Sequence, residues 1–312
     1  MNKNKTFYAN LFAMILLILY SFGGDILVPI FGKMSLSLPM YLVLPQILLL
    51  VVPTIVYFII TKEPVKDTLR LNKIGLRTIF IVIGIGFLSM PIASFLSLIS
   101  QFVFPNRIGQ VVNRLDNIPF IIRLGVVALT PAICEEITMR GVTLSGYNDL
   151  SIKKSAIMTG LFFGMIHMDG NQFLYAFALG VIFAYLVRIT NSIFSSMICH
   201  FIINGTQVFL LEVSKYLSKL SNQDVKAVQG AGLSSFTMSQ KINAVLFYLV
   251  LAVICLGVIV ILIQKLIKIH GKIGIQSNNV YENDIKYINW PVYVSVILYI
   301  FIIVNQLIKI YK

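Results

Sequence analysis

Glu135, Glu136, His167, His200 and Asn204 are polar residues in stretches of sequence that are otherwise almost wholly apolar. A charged group at the centre of a spanning helix costs ~2.5–3.5 kcal/mol, so such residues are retained for a reason. Glu135, Glu136 and Arg140 stand together in Pro131-Ala-Ile-Cys-Glu-Glu-Ile-Thr-Met-Arg140. Helix geometry places Glu136 and Arg140 on one face, able to pair, and turns Glu135 about 100° away with no partner. Phe163 and His167 are again four residues apart, as are His200 and Asn204. A free carboxylate, two imidazoles and a carboxamide can jointly activate water against an amide carbonyl. Glu135 would be the general base. His167 would orient the water and shuttle its proton. His200 and Asn204 would donate hydrogen bonds to the developing oxyanion. Each motif also has a plain structural reading: an ion pair between helices, an interfacial histidine, or interhelical hydrogen bonds worth ~0.6 kcal/mol each. Their occurrence together favours chemistry.

Other chemistries lack their residues. There is no His-Glu-x-x-His zinc helix, no Gly-x-Ser-x-Gly elbow and no phosphate-binding loop. Cys134, Cys199 and Cys255 lie in apolar runs without paired spacing and read as small buried filler, not as a disulfide framework. His270, the third histidine, sits in a basic flank and reads as a surface residue.

The elements that must position these groups are set by composition. With 58% hydrophobic and 12% charged residues, lipid is the solvent for most of the chain. Such a chain satisfies its backbone in helices. The expected fold is all-α, a polytopic transmembrane helix bundle of eight or nine spans. The first covers Phe7 to Phe22, and a second, about Met40 to Ile60, is kinked by Pro45 and Pro53. The basic, amphipathic stretch 61–77 is expected as an interfacial helix. Further spans are expected at about 78–99, 119–144, 152–167, 173–187, 193–211, 242–263 and 290–308, with a polar loop over 212–241. This divides the chain into an N-terminal transmembrane scaffold (1–118), a catalytic helix core (119–211), and a loop with C-terminal transmembrane helices (212–312). The formal charge of +13 lies mainly between apolar runs, which suits anionic lipid headgroups and not nucleic acid. Expected partners are therefore membrane lipids and a membrane-associated peptide or protein substrate. The Asn-, Ile- and Lys-rich composition suits a bacterial plasma membrane.

Glu135-Glu136-x-x-x-Arg140, Phe163-x-x-x-His167 and His200-x-x-x-Asn204, in that order on successive helices, resemble the CPBP family of CAAX proteases and bacteriocin-processing enzymes (also called Abi), related to the type II CAAX prenyl endopeptidase. The resemblance covers about 119–211. It implies a glutamate-dependent intramembrane endopeptidase with Glu135, His167, His200 and Asn204 catalytic and Glu136, Arg140 and Phe163 supporting. It implies no cofactor, with zinc on Glu135, His167 and His200 as the runner-up mechanism. Met139 departs from the aromatic residue that many members carry before the arginine. The implied substrates are CAAX-like tails, bacteriocin leaders or pheromone precursors, with bacteriocin self-immunity a further role. The alternatives are a non-catalytic membrane immunity or scaffold protein and a proton-coupled transporter, the latter disfavoured by the absence of an internal repeat. The depth of the three motifs along their helices predicts a site opening toward the turn Met168–Asn171.

Overall fold

In the computed structural model the described residues are 4–106, 115, 117–221, 236–271 and 286–312, and among them there are helices and turns but no strand. The helices are α1 (Lys5–Lys33), α2 (Leu38–Thr61), α3 (Leu76–Ser100), α4 (a composite from Phe120 to Thr143), α5 (Ile152–Ile166), α6 (Gly170–Thr190), α7 (Ile193–Ser221), α8 (Met238–His270) and α9 (Trp290–Tyr311). All but α4 and α5 are long and apolar enough to cross a membrane, seven in number. The chain is thus a multi-pass membrane protein. The expected count of eight or nine included the stretches of α4 and α5. An ideal helix of α5's 15 residues rises only about 22 Å, short of a ~30 Å hydrocarbon layer.

The bundle is apolar outside and polar within. Ile59, Phe80, Ile121, Phe247, Ile297 and Phe301 are exposed, while Glu136, Arg140, Thr138, Ser155, Thr159 and Ser196 are wholly buried. Exposed apolar side chains of this kind are what a lipid-facing surface requires. Packing is tightest where side chains are smallest. On α5, a Cβ at Gly160 would lie 2.9 Å from the Phe177 carbonyl of α6. On α6, a Cβ at Gly180 would lie 2.8 Å from the Gly160 Cα. The facing glycines let the two backbones touch, as small residues do in membrane bundles. α3 lies against α6, α7 and α8, and α1 lies against α4, α5 and α9.

Four expectations change. The first span does not stop at Phe22: α1 continues through Gly23, Gly24, Asp25 and Pro29 to Lys33. The apolar run Ile26–Phe31 outweighs those breakers. In α2, Pro45 and Pro53 flank a π-helical stretch, Ile47–Val51, because a proline removes one backbone donor and the ladder re-registers around it. The stretch 61–77 is not an interfacial helix. Pro64 starts a single helical turn, Val65–Thr68, and Arg70 then adopts a left-handed conformation with φ 48°. Arg70 folds inward instead of lying on the surface. It donates to the Arg140 carbonyl at 3.4 Å and to the Asn148 side chain. Burial, with the Arg188 guanidinium nearby, pulls Arg70 down to about 10. His270 is not a bare surface residue either: its Nε2 lies 2.8 Å from Thr78 Oγ1, tying α8 to α3. The polar loop expected over 212–241 is shortened at both ends, by α7 reaching Ser221 and α8 starting at Met238, and 222–235 lie outside the described residues.

Candidate active site

α4 carries the two carboxylates and is not a regular helix. It runs as α-helix Phe120–Leu124, π-helix Gly125–Leu129, α-helix Thr130–Glu136 and π-helix Ile137–Thr143. The cause of the first irregularity is Pro131, which has no N–H to give the Val127 carbonyl four residues back. That carbonyl instead accepts from Asn204 Nδ2 at 3.2 Å. Asn204 therefore has a structural task, closing a gap in the neighbouring helix, with one N–H left over. The second π-helix begins directly after Glu136, while the ordinary 100° step between adjacent helical residues turns Glu135 and Glu136 into different surroundings. Helical stretches of this kind concentrate at functional sites.

Glu136 is the hub of the buried side. Its Oε1 accepts from Arg140 Nη1 at 2.8 Å and from His200 Nδ1 at 2.9 Å. All three residues are buried. Arg140 Cζ stands 4.0 Å from the centroid of the Phe163 ring and 4.9 Å from that of Phe183. These ring faces supply the guanidinium with attraction that its Nε and Nη2 do not find in hydrogen bonds. Phe183 also stacks on His200, with centroids 5.3 Å apart and planes at 30°. Phe163 meets His167 edge-on at 4.9 Å and His200 edge-on at 6.1 Å. The pairing expected of Glu136 with Arg140 is thus present, and His200 joins it. Phe183 was not visible as a site residue in the sequence, where it stands in an apolar run with nothing to single it out.

Glu135 faces the other way. It lines a cavity of about 30 Å³ with Tyr20, Leu50, Met139, Ile166 and His167. A water needs ~10–15 Å³ of such space, so this cavity is water-sized. Glu135 Oε2 is buried, makes no hydrogen bond, and lies 3.9 Å from His200 Nε2. Met139, the departure from the aromatic pattern, is part of the cavity wall. His167 caps the C-terminus of α5, and its Nδ1 lies 2.7 Å from the Phe163 carbonyl. A carbonyl only accepts, so that nitrogen carries a proton, and in the neutral ring Nε2 is then the acceptor. His200 Nδ1, bonded to a carboxylate, follows the same rule.

The turn after His167 is held from outside the three motifs. Met168 takes a left-handed conformation with φ 49°, and Asp169 Oδ1 caps α6 by accepting from the Asn171 and Gln172 amides at 2.9 and 3.0 Å. Gln306 of α9 donates to Asp169 Oδ2 at 2.9 Å and accepts from the Gly170 amide at 3.0 Å. Neither Asp169 nor Gln306 was recognisable beforehand, since a lone amide near the end of the last span has many uses.

The structure therefore brings Glu135 and His167 to one cavity and joins His200 to Glu136, Arg140 and Phe163 beside it. Asn204 does not line the cavity. Among the described residues no three His, Cys, Asp or Glu side chains are arranged to hold a metal ion. Cys134, Cys199 and Cys255 are free and buried.

This succession of motifs on α4, α5 and α7 has a counterpart. Residues 117–206 match the family model for type II CAAX prenyl endopeptidase Rce1-like proteins. The resemblance read from the three motifs is borne out over that stretch, which holds every residue of the three motifs and is less than a third of the chain. The Rce1-like family is a protease family, and the match supports a peptidase. No curated protein and no solved structure matches the chain. Tyr20, Leu50 and Gln306 lie outside the Rce1-like segment.

Proposed function

We propose that this protein is an intramembrane endopeptidase in which Glu135 activates the hydrolytic water. The observation that carries the reading is the water-sized cavity that Glu135, whose Oε2 makes no hydrogen bond, and His167 line together. Water held there gives one proton to Glu135 as its oxygen attacks the scissile carbonyl carbon. The carbonyl electrons move onto oxygen, and the leaving amine takes up the proton as the C–N bond breaks. Glu136, on Nδ1, holds the His200 ring toward Glu135, and His200 donates to the oxyanion when its Nε2 carries a proton. The second N–H of Asn204 is the other donor.

The substrate we propose is a membrane-associated peptide or protein, such as a CAAX-like tail, a bacteriocin leader or a pheromone precursor, cleaved at the bacterial plasma membrane. Protection against a bacteriocin by the same cleavage is a second outlet of this activity. Catalysis on this reading needs no metal.

The test compares the peptides of cells expressing the wild-type protein with those of cells expressing Glu135→Ala. Processing should fall by about 10²–10⁴-fold, the usual contribution of a general base, with the variant still inserted in the membrane. Undiminished processing by Glu135→Ala would refute the mechanism. The activity should also survive dialysis against a strong chelator, and loss restored by zinc would replace the metal-free reading with the zinc one.

A further inference from the structure

The cavity between Glu135 and His167 contains an uneven set of hydrogen-bonding groups. Glu135 presents a carboxylate oxygen, which accepts. His167 has spent its Nδ1 proton on the Phe163 carbonyl, so in the neutral ring its Nε2 is a second acceptor. Leu50, Met139 and Ile166 offer no donor. His200 and Asn204 do not line the cavity, and each already has one N–H bonded elsewhere, to Glu136 and to Val127. Of the other lining residues only Tyr20 carries a polar side-chain group, its hydroxyl. Among the described residues no group bonds to it, and a neutral phenol is a good donor.

A buried water typically makes about three hydrogen bonds. Here it can give its two protons to the two acceptors, but it needs a donor to satisfy one lone pair while the other points at a substrate carbonyl. We propose that Tyr20 supplies that donor. Its hydroxyl holds the water that Glu135 and His167 receive, and so fixes which lone pair is free to attack. Tyr20 keeps its own proton throughout: it donates a hydrogen bond and no bond to it breaks. The placement is not accidental to the fold. Tyr20 is on α1, whose next residue, Ser21, lies 3.5 Å from the sulfur of Met168 in the turn after His167. The same stretch of α1 closes on α2, where the side chain of Leu49 lies against Gly23. A helix outside the Rce1-like segment thereby completes the water's surroundings.

This inference rests on the peptidase reading, and the two can be separated. An internally quenched library of apolar decapeptides, presented in detergent micelles, is incubated with wild-type protein, Tyr20→Phe and Glu135→Gln. Tyr20→Phe keeps the ring and removes a hydroxyl that no protein group needs, so its melting temperature should match the wild type. Its kcat should fall about tenfold to a hundredfold, the scale of a misplaced reactant, with KM little changed. Glu135→Gln inactive and Tyr20→Phe at wild-type kcat would overturn the Tyr20 proposal and leave the peptidase standing. Glu135→Gln as active as wild type would remove the peptidase reading itself. A high-resolution structure of the wild-type protein gives an answer independent of any substrate. Water within hydrogen-bond distance of Tyr20 Oη, Glu135 and His167 Nε2, lost or displaced in Tyr20→Phe, supports the proposal. A dry cavity, or a Tyr20 hydroxyl bonded elsewhere, overturns it.

Discussion

At the scale of residues, two adjacent carboxylates have unlike surroundings. Glu136 is wholly buried and gives one oxygen to both Arg140 and His200, whereas Glu135 has an oxygen that makes no hydrogen bond. The i,i+4 spacing foretold the first arrangement, because partners on one helix face are a local property. It did not foretell that His200 would face Glu136 through Nδ1, which depends on how α7 is rotated against α4. Asn204 shows the same division. Its spacing from His200 marks it as a site residue, but its bond to the carbonyl orphaned by Pro131 appears only when the helices are side by side. Losing that bond leaves a part-buried carbonyl unpaired, at a cost of about 1 kcal/mol. Asn204→Ala should therefore lower both the melting temperature in detergent and the cleavage rate, whereas Glu135→Ala should lower the rate alone. Equal melting of Asn204→Ala and wild type would confine Asn204 to the chemistry.

The elements that hold these residues are shaped by prolines and glycines more than by their apolar side chains. Pro45 and Pro53 were legible as disturbances but their π-helical outcome was not, and at Pro131 the freed Val127 carbonyl is satisfied by Asn204 of a neighbouring helix. The stretch 61–77 misled for a related reason. Its charges alternate in a way that suits an amphipathic helix, but Arg70 finds acceptors on Arg140 and Asn148, and a long-range bond outweighs a local pattern. The crossing of α5 and α6 is a demanding contact. At Gly160 a side chain would strike backbone atoms of Phe177 and Val181, 2.9 and 3.1 Å from its Cβ, and a carbonyl cannot swing aside as a flexible side chain can. Gly160→Val should push α5 from α6, cost about 1–3 kcal/mol as overpacking does, and move His167 away from Glu135. Calorimetry together with cleavage would read a lowered melting temperature and a rate reduced by about a hundredfold. Full activity in a fully stable Gly160→Val protein would mean that the crossing does not position His167.

For the whole molecule, the polar groups are gathered at the centre of a bundle whose outside is apolar, so the site is built from helices far apart in sequence. α1 contributes Tyr20, α2 contributes Leu50, α4 and α5 contribute Glu135 and His167, and α9 contributes Gln306 to the turn beyond. The flanking helices are thus part of the site and not merely scaffold. It follows that residues 117–206 expressed alone should enter membranes but neither cleave the peptides that the full chain cleaves nor melt cooperatively. Cleavage by that segment at the rate of the full chain would show that α1, α2 and α9 are dispensable.

The sequence by itself determined that the chain is helical and lipid-embedded, and which polar residues stand in its apolar runs at a spacing suited to chemistry. Both are written in local terms: long apolar runs, and polar residues spaced by one helical turn. Only the tertiary structure decided that Glu135 and His167 share a water-sized cavity, that Phe183 and Glu136 back His200, and that Tyr20 and Gln306 reach the site from the N- and C-terminal helices. Those facts depend on the rotation and depth of each helix relative to the others. Packing between distant segments sets both, and no periodicity within one segment records them.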